Sequence, residues 1–277
     1  MSSSPSSPSS SGPKAPAGEA GGKPEPGRPL ISFRGIHKAF GDKVVLQGVD
    51  LDIYPGETVV ILGGSGSGKT VLTSMLVGLN FPDQGSIQVE GKELTTLATD
   101  EDWRELRLKT GYLFQSSALY DSMTVGENVA FPMVHHTELS EAEIARRVAQ
   151  ELAQVGLEGT EGLEPSELSG GMLRRAALAR SLVLDPQIII YDEPTAGLDP
   201  ITADEIAHLI RRLQRVLKVT SIVVTHDLRL AELVADRLLL LYEGQWAFQG
   251  TFAEFRQSTH PQVRRFLHSE PEENDSP

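Results

Sequence analysis

The segment Gly63-Gly-Ser-Gly-Ser-Gly-Lys-Thr70 restricts what this chain can fold into more than any other. It follows the apolar run Thr58–Leu62 and leads into Lys69–Gly78, which carries helical spacing. Strand, glycine-rich loop and helix in that order fit the pattern G-x-x-x-x-G-K-[ST]. Glycines let the backbone fold tightly, so that its N–H groups point at a common anion. The helix adds the positive end of its dipole at the same place. Such a cradle binds phosphate. Lys69 can reach the β- and γ-phosphates of a nucleotide, and the Thr70 hydroxyl can ligate Mg²⁺. Gly63, Gly64, Ser65, Gly66, Ser67, Gly68, Lys69 and Thr70 are therefore candidate nucleotide-binding residues, with ATP and Mg²⁺ as the implied ligands.

A second apolar strand, Ile188-Ile-Ile-Tyr, ends in Asp192 and Glu193. Asp192 is placed to hold Mg²⁺ through water. Glu193 lies one residue beyond the strand, beside the expected γ-phosphate, where it can accept a proton from an attacking water.

The rest of the chain alternates between the two periodicities. Ile31 and Phe33, then Val49, Leu51 and Ile53, follow period two and predict half-buried strands. Tyr112–Phe114, Gln187–Tyr191, Ser221–Thr225 and Arg237–Tyr242 read as further strands. Ser140 and Glu143 have capping-box spacing, and Ile144, Val148, Leu152 and Val155 share one side of the helix that follows. Met172–Leu184 predicts another helix, ended by Asp185-Pro186. Asp199 can cap the next, whose expected buried face is Ile206, Leu209, Ile210, Leu213, Val216 and Leu217. Strands alternating with helices predict an α/β fold built on a mainly parallel sheet covered on both faces.

Residues 1–29 contain 20 Ser, Pro or Gly and cannot bury enough apolar surface to offset their ordering entropy. They are expected to be a disordered tail. Residues 30–257 are expected to form the domain, and 258–277 a partly disordered extension; the chain after Gly250 carries helical signals at Phe252–Arg256 and Gln262–Leu267. No run approaches the ~20 apolar residues of a membrane span. The tail has no apolar segment of a secretory signal. The absence of cysteine removes disulfides and thiol chemistry, and the net charge of −13 disfavours nucleic acid as a partner.

Leu168-Ser-Gly-Gly-Met172, at a helix start, resembles the signature motif of ABC ATPases. Other marks of that family follow in order. Phe40 resembles the aromatic that stacks on adenine. Gln115 resembles the glutamine that touches Mg²⁺ or the attacking water. Ala196-Gly-Leu-Asp199 is similar to the loop that spans the dimer interface, and His226 to the histidine that contacts the γ-phosphate. The resemblance covers about Ile31 to Gly250. It implies a P-loop NTPase fold with a mixed sheet core and a helical subdomain. It also implies a homodimer in which Ser169, Gly170 and Gly171 cap the nucleotide of the facing protomer. Met172 departs from the usual glutamine, and a thioether cannot supply an amide's hydrogen bonds. Nothing comparable surrounds His135 and His136, which are expected at the surface.

The stretch Gly111–Pro132, the sequence Leu168-Ser-Gly-Gly-Met-Leu-Arg-Arg-Ala-Ala-Leu-Ala-Arg180 and Asp199-Pro-Ile-Thr202 are similar to the ATPases of Mla/Mce lipid transport systems, where Met172 is typical. That resemblance implies an MlaE-like integral membrane permease, an MCE-domain protein, in some systems a STAS-domain subunit, and phospholipid as cargo. It places the chain on the cytoplasmic face of the inner membrane. Asp121, Glu127, Phe131 and Met133 are expected to shape the groove facing the permease, and the C-terminal extension to contact the neighbouring ATPase. An ABC ATPase for another cargo, such as amino acids or metal, and a non-transport ABC ATPase are the competing readings.

Overall fold

The computed structural model describes residues 27–268. The tail expected over 1–29 lies outside the described residues up to position 26, and so does the acidic end from 269.

The chain begins with a hairpin. Strands β1 (Ile31–Phe40) and β2 (Lys43–Ile53) run antiparallel, with Gly41 and Asp42 at the tip. Their register pairs Ile31 with Ile53 and Phe33 with Leu51, so the period-two residues share one buried face. β3 (Thr58–Leu62) and α1 (Lys69–Ser74) follow, then β4 (Gln84–Val89), β5 (Lys92–Glu93), α2 (Asp100–Leu108) and β6 (Thr110–Leu113). A helical subdomain comes next: α3 (Val125–His136), α4 (Glu141–Gln154) and α5 (Gly170–Leu182). β7 (Ile188–Asp192), α6 (Pro200–Leu217), β8 (Thr220–Thr225), α7 (Leu228–Val234), β9 (Arg237–Tyr242), β10 (Gln245–Gly250), α8 (Phe252–Gln257) and α9 (Pro261–Leu267) complete the described residues.

Two sheets result. One is antiparallel, in the order β2-β1-β4-β5; the other has the order β10-β9-β3-β8-β7-β6 and is parallel from β9 to β6. β3 shows why its sequence is continuously apolar. Val60 and Leu62 face the core shared with α3–α7, while Val59 and Ile61 face the core shared with the antiparallel sheet and α1. A strand buried on both faces has no polar side to alternate.

Several expectations shift in detail. α1 ends at Ser74, and Met75–Val77 tightens into a 3-10 turn, so the helix does not run unbroken to Gly78. α5 begins at Gly170, two residues before the expected start, because Ser169 Oγ caps it by accepting from the Met172 N–H at 3.3 Å. On α6, Ile206, Leu209, Ile210 and Leu213 are buried as expected, but Val216 is 69% and Leu217 37% exposed. Both lie in the last turn, against the left-handed cap Lys218, where the chain leaves the helix for β8. The capping box at Ser140 forms with Glu143, and His135 and His136 are exposed.

Candidate active site

β3 delivers the glycine loop to the base of α1. Gly68 has φ 105°, and a Cβ there would stand 2.8 Å from Val45 Cγ1 and 3.1 Å from the Val45 carbonyl. A side chain would have to displace backbone as well as adopt a left-handed conformation. Lys69 folds back beneath the loop, and its Nζ donates to Gly63 O at 2.7 Å and Gly64 O at 3.1 Å. Burial lowers the pKa of Lys69, and the charges of Glu193 and Asp192 oppose that.

β7 ends against the same loop. Asp192 Oδ1 accepts from the Thr70 hydroxyl at 3.0 Å, and Oδ2 from the Tyr112 hydroxyl at 3.5 Å. Burial raises the Asp192 pKa; the Thr70 hydrogen bond acts against it and the neighbouring Glu193 with it. Glu193 takes a left-handed backbone, φ 46°, braced by its N–H donating to Val224 O at 2.8 Å. The two oxygens of its carboxylate are divided. Oε1 lies 3.5 Å from Lys69 Nζ, and Oε2 accepts from His226 Nδ1 at 2.9 Å and from the His226 N–H at 3.3 Å.

A cavity of about 540 Å³ is lined by Gly64, Ser65, Gly66, Lys69, Thr70, Gln115, Glu193, His226 and Phe266. An adjoining groove of about 230 Å³ runs from Gly66–Val71 to Lys43, Val45 and Phe40, whose ring is 49% exposed at the end of β1. The structure thus gathers the phosphate loop, Gln115, Glu193 and His226 around one cavity, with Asp192 buried behind Thr70 and Phe40 on the adjoining groove.

It leaves Ser169, Gly170, Gly171 and Asp199 outside that space. These form a second cluster. A Cβ on Gly171 would lie 2.5 Å from Thr202 Cγ2, so the start of α5 packs directly on the start of α6. Asp199 caps α6, accepting from the N–H groups of Ile201 and Thr202, both at 3.1 Å, and from the Thr202 hydroxyl at 2.6 Å. These bonds lower its pKa.

The groove beside the Gln115 loop has a volume of about 620 Å³ and is lined by Arg104, Arg107, Tyr120, Phe131, Pro132 and Arg180 among others. Of the four residues expected there, only Phe131 lines it. Met133 is wholly buried, because Val125, Val129 and Met133 form the inward stripe of α3. Glu127 is the capping partner of Thr124, and Asp121 is exposed away from the groove. Sequence reasoning also missed Phe266, Tyr112 and Arg174, which reach the site only by long-range packing.

A glycine loop entering a helix from a parallel sheet, with an Asp-Glu pair ending a neighbouring strand, defines a nucleotide-hydrolysing domain. Residues 46–196, more than half the chain, match the ABC transporter family. The protein TRIGALACTOSYLDIACYLGLYCEROL 3, chloroplastic, of Arabidopsis thaliana is 44% identical over 253 residues, covering 86% of this chain and 73% of the relative. The intermembrane phospholipid transport system ATP-binding protein MlaF of Haemophilus influenzae is 41% identical over 241 residues, covering 87% and 91%. Among solved structures, the dimeric post-hydrolysis state of the ATP-binding cassette MJ0796 with ADP and Pi is similar at a TM-score of 0.74 and 31% identity, covering 80% of this chain and 99% of that one. The chain belongs to the ABC transporter family and is its ATP-hydrolysing component.

Proposed function

We propose that this chain powers the movement of phospholipid between two membranes, as the ATPase of a Mla/Mce-type system. Similarity to MlaF over nearly its whole length supports that cargo. The ATPase site is carried by one observation: Glu193 is held between Lys69 and His226 at the wall of the cavity that the phosphate loop opens into.

The chemistry follows from those contacts. The N–H groups of Gly63–Gly68 and Lys69 bind the phosphates, and Phe40 stacks on the adenine. Glu193 accepts a proton from the attacking water; with Oε2 tied to His226, its orientation is fixed before the water arrives. His226 positions Glu193 and meets the γ-phosphate. Thr70, Asp192 and Gln115 present hard oxygen donors, a set that suits Mg²⁺. Bound there, the ion neutralises charge on the phosphates.

Ser169, Gly170, Gly171 and Asp199 serve the nucleotide of a second copy, two chains sandwiching two ATP molecules. Their separation from the chain's own cavity supports this, as does the dimeric form of MJ0796. Among the described residues no helix is long and apolar enough to cross a membrane. An MlaE-like permease supplies the membrane spans, seated in the groove between Arg104, Phe131 and Arg180 on the cytoplasmic face of the inner membrane, with an MCE-domain protein and a STAS-domain subunit in the same complex.

The test is to tag Glu193→Gln, solubilise membranes in mild detergent with ATP, and identify the proteins and lipids that copurify. A permease with an MCE-domain protein and phospholipid is the expected result. A permease without lipid removes the cargo assignment, and no membrane protein at all removes the transport assignment.

A further inference from the structure

Arg174 stands in the second turn of α5, five residues beyond Ser169, and is only 5% exposed. No carboxylate lies within ion-pair distance of its guanidinium among the described residues. Asp192 acts on it only through space. Its partners are three backbone carbonyls. Nη1 donates to Phe114 O at 2.9 Å and to Gln115 O at 2.6 Å, and Nη2 donates to Ala196 O at 3.3 Å. Nε is buried and has no partner.

A cation buried without a counter-ion is costly, so these carbonyls are what keep it in place. They come from two loops. Phe114 and Gln115 leave β6 toward the cavity, whereas Ala196 lies between Glu193 and Asp199. The start of α5 already leans on the second loop, since a Cβ on Gly170 would touch Leu198 at 3.3 Å. A planar fork of five donors spans both loops at once; an uncharged amide has two donors and cannot. The unpaired Nε leaves the fork able to exchange partners when either loop shifts.

We propose that Arg174 is a positioning residue that makes the Ser169–Gly171 turn, the Gln115 loop and the Ala196 loop move together. Nucleotide met by Ser169 in the facing protomer thereby adjusts Gln115 and Glu193 at this protomer's own site. The proposal rests on the paired-site reading above.

Full-length parent, Arg174→Gln, Arg174→Lys and Lys69→Ala are compared for binding of a fluorescent ATP analogue and for phosphate release against ATP concentration. Arg174→Gln is expected to bind the analogue within about twofold of the parent, lose about tenfold or more in kcat, and lose the sigmoid dependence on ATP. Arg174→Lys, which keeps the charge and reaches fewer carbonyls, recovers part of both. Parent-like turnover in Arg174→Gln overturns the proposal. So does an equal loss in the two variants, or failure of both to fold, which makes Arg174 a residue of the fold alone. A parent with hyperbolic ATP dependence, beside an inactive Lys69→Ala, removes the paired-site reading and leaves the single nucleotide site standing.

Discussion

Glu193 combines a left-handed backbone with a carboxylate whose two oxygens are already engaged, a conformation that costs of order 1 kcal/mol for a residue with a Cβ. The contacts to Lys69, His226 and Val224 hold it there. Glutamine at this position keeps the size and the contact with His226 but cannot take a proton. Glu193→Gln is therefore expected to bind ATP as the parent does and to release phosphate about 10²–10⁴ times more slowly. Normal turnover in that variant would remove Glu193 as the base. Lys69→Ala acts earlier, because the carbonyls of Gly63 and Gly64 hold the ammonium at the phosphate loop. Its expected signature is lost nucleotide affinity, read by equilibrium binding; unchanged affinity would discard the phosphate-loop assignment.

Within the helical subdomain, one side chain fixes a loop. Asn128 on α3 is fully buried; its Oδ1 accepts from the Tyr120 N–H at 2.8 Å, and its Nδ2 donates to the carbonyls of Tyr120, Met123 and Thr124 at 3.0–3.1 Å. Asn128→Ala takes that partner from the Tyr120 N–H and the Met123 carbonyl, while the Tyr120 and Thr124 carbonyls keep backbone donors, and is expected to cost about 1–3 kcal/mol in urea unfolding. A parent-like midpoint would mean that water replaces the amide without loss. On α4, burial pushes the Glu151 carboxyl up to about 7, Asp185 adding to the shift and Arg147 opposing it. The folded pKa exceeds the unfolded one, so the folded state prefers the proton. That contribution is complete below the ordinary glutamate range and is lost as pH rises through about 7. Glu151→Gln should match the parent at about pH 4 and exceed it at about pH 8, by about 1 kcal/mol once solvent screening of the partly exposed side chain is allowed for. Thermal melts showing the same gap at both pH values would refute the titration.

Across the whole molecule, the C-terminal helices close the core at the edge of the larger sheet. Phe255 and Val263 are fully buried, and Phe255 packs edge-on against Phe248 at 5.2 Å and Phe266 at 6.4 Å. Phe266 also lines the cavity that holds Glu193. Within this chain α9 therefore packs on its own protomer. Removing residues 258–277 uncovers Phe255 and deletes Val263 and Phe266, an expected loss of about 2–4 kcal/mol in stability. Unfolding at the parent's urea midpoint would show that the segment contributes no core.

The sequence alone determined the features that are local in the chain. The phosphate loop, the strand ending in Asp192 and Glu193, the Ser-Gly-Gly turn at a helix start and the apolar periodicities each occupy a dozen residues or fewer, and local sterics and backbone dipoles give them a readable order. Helix boundaries were legible to within a turn, because a cap such as Ser169 or a 3-10 ending at Met75–Val77 is decided by a few backbone bonds. Tertiary structure decided what depends on chain segments far apart. Glu193 and His226 meet across 33 residues, Arg174 and Phe114 across 60, and each partner alone has an ordinary side chain. Val216 continued the apolar period of α6 yet lies in water, since periodicity fixes a direction around the helix and only packing fixes where the core ends.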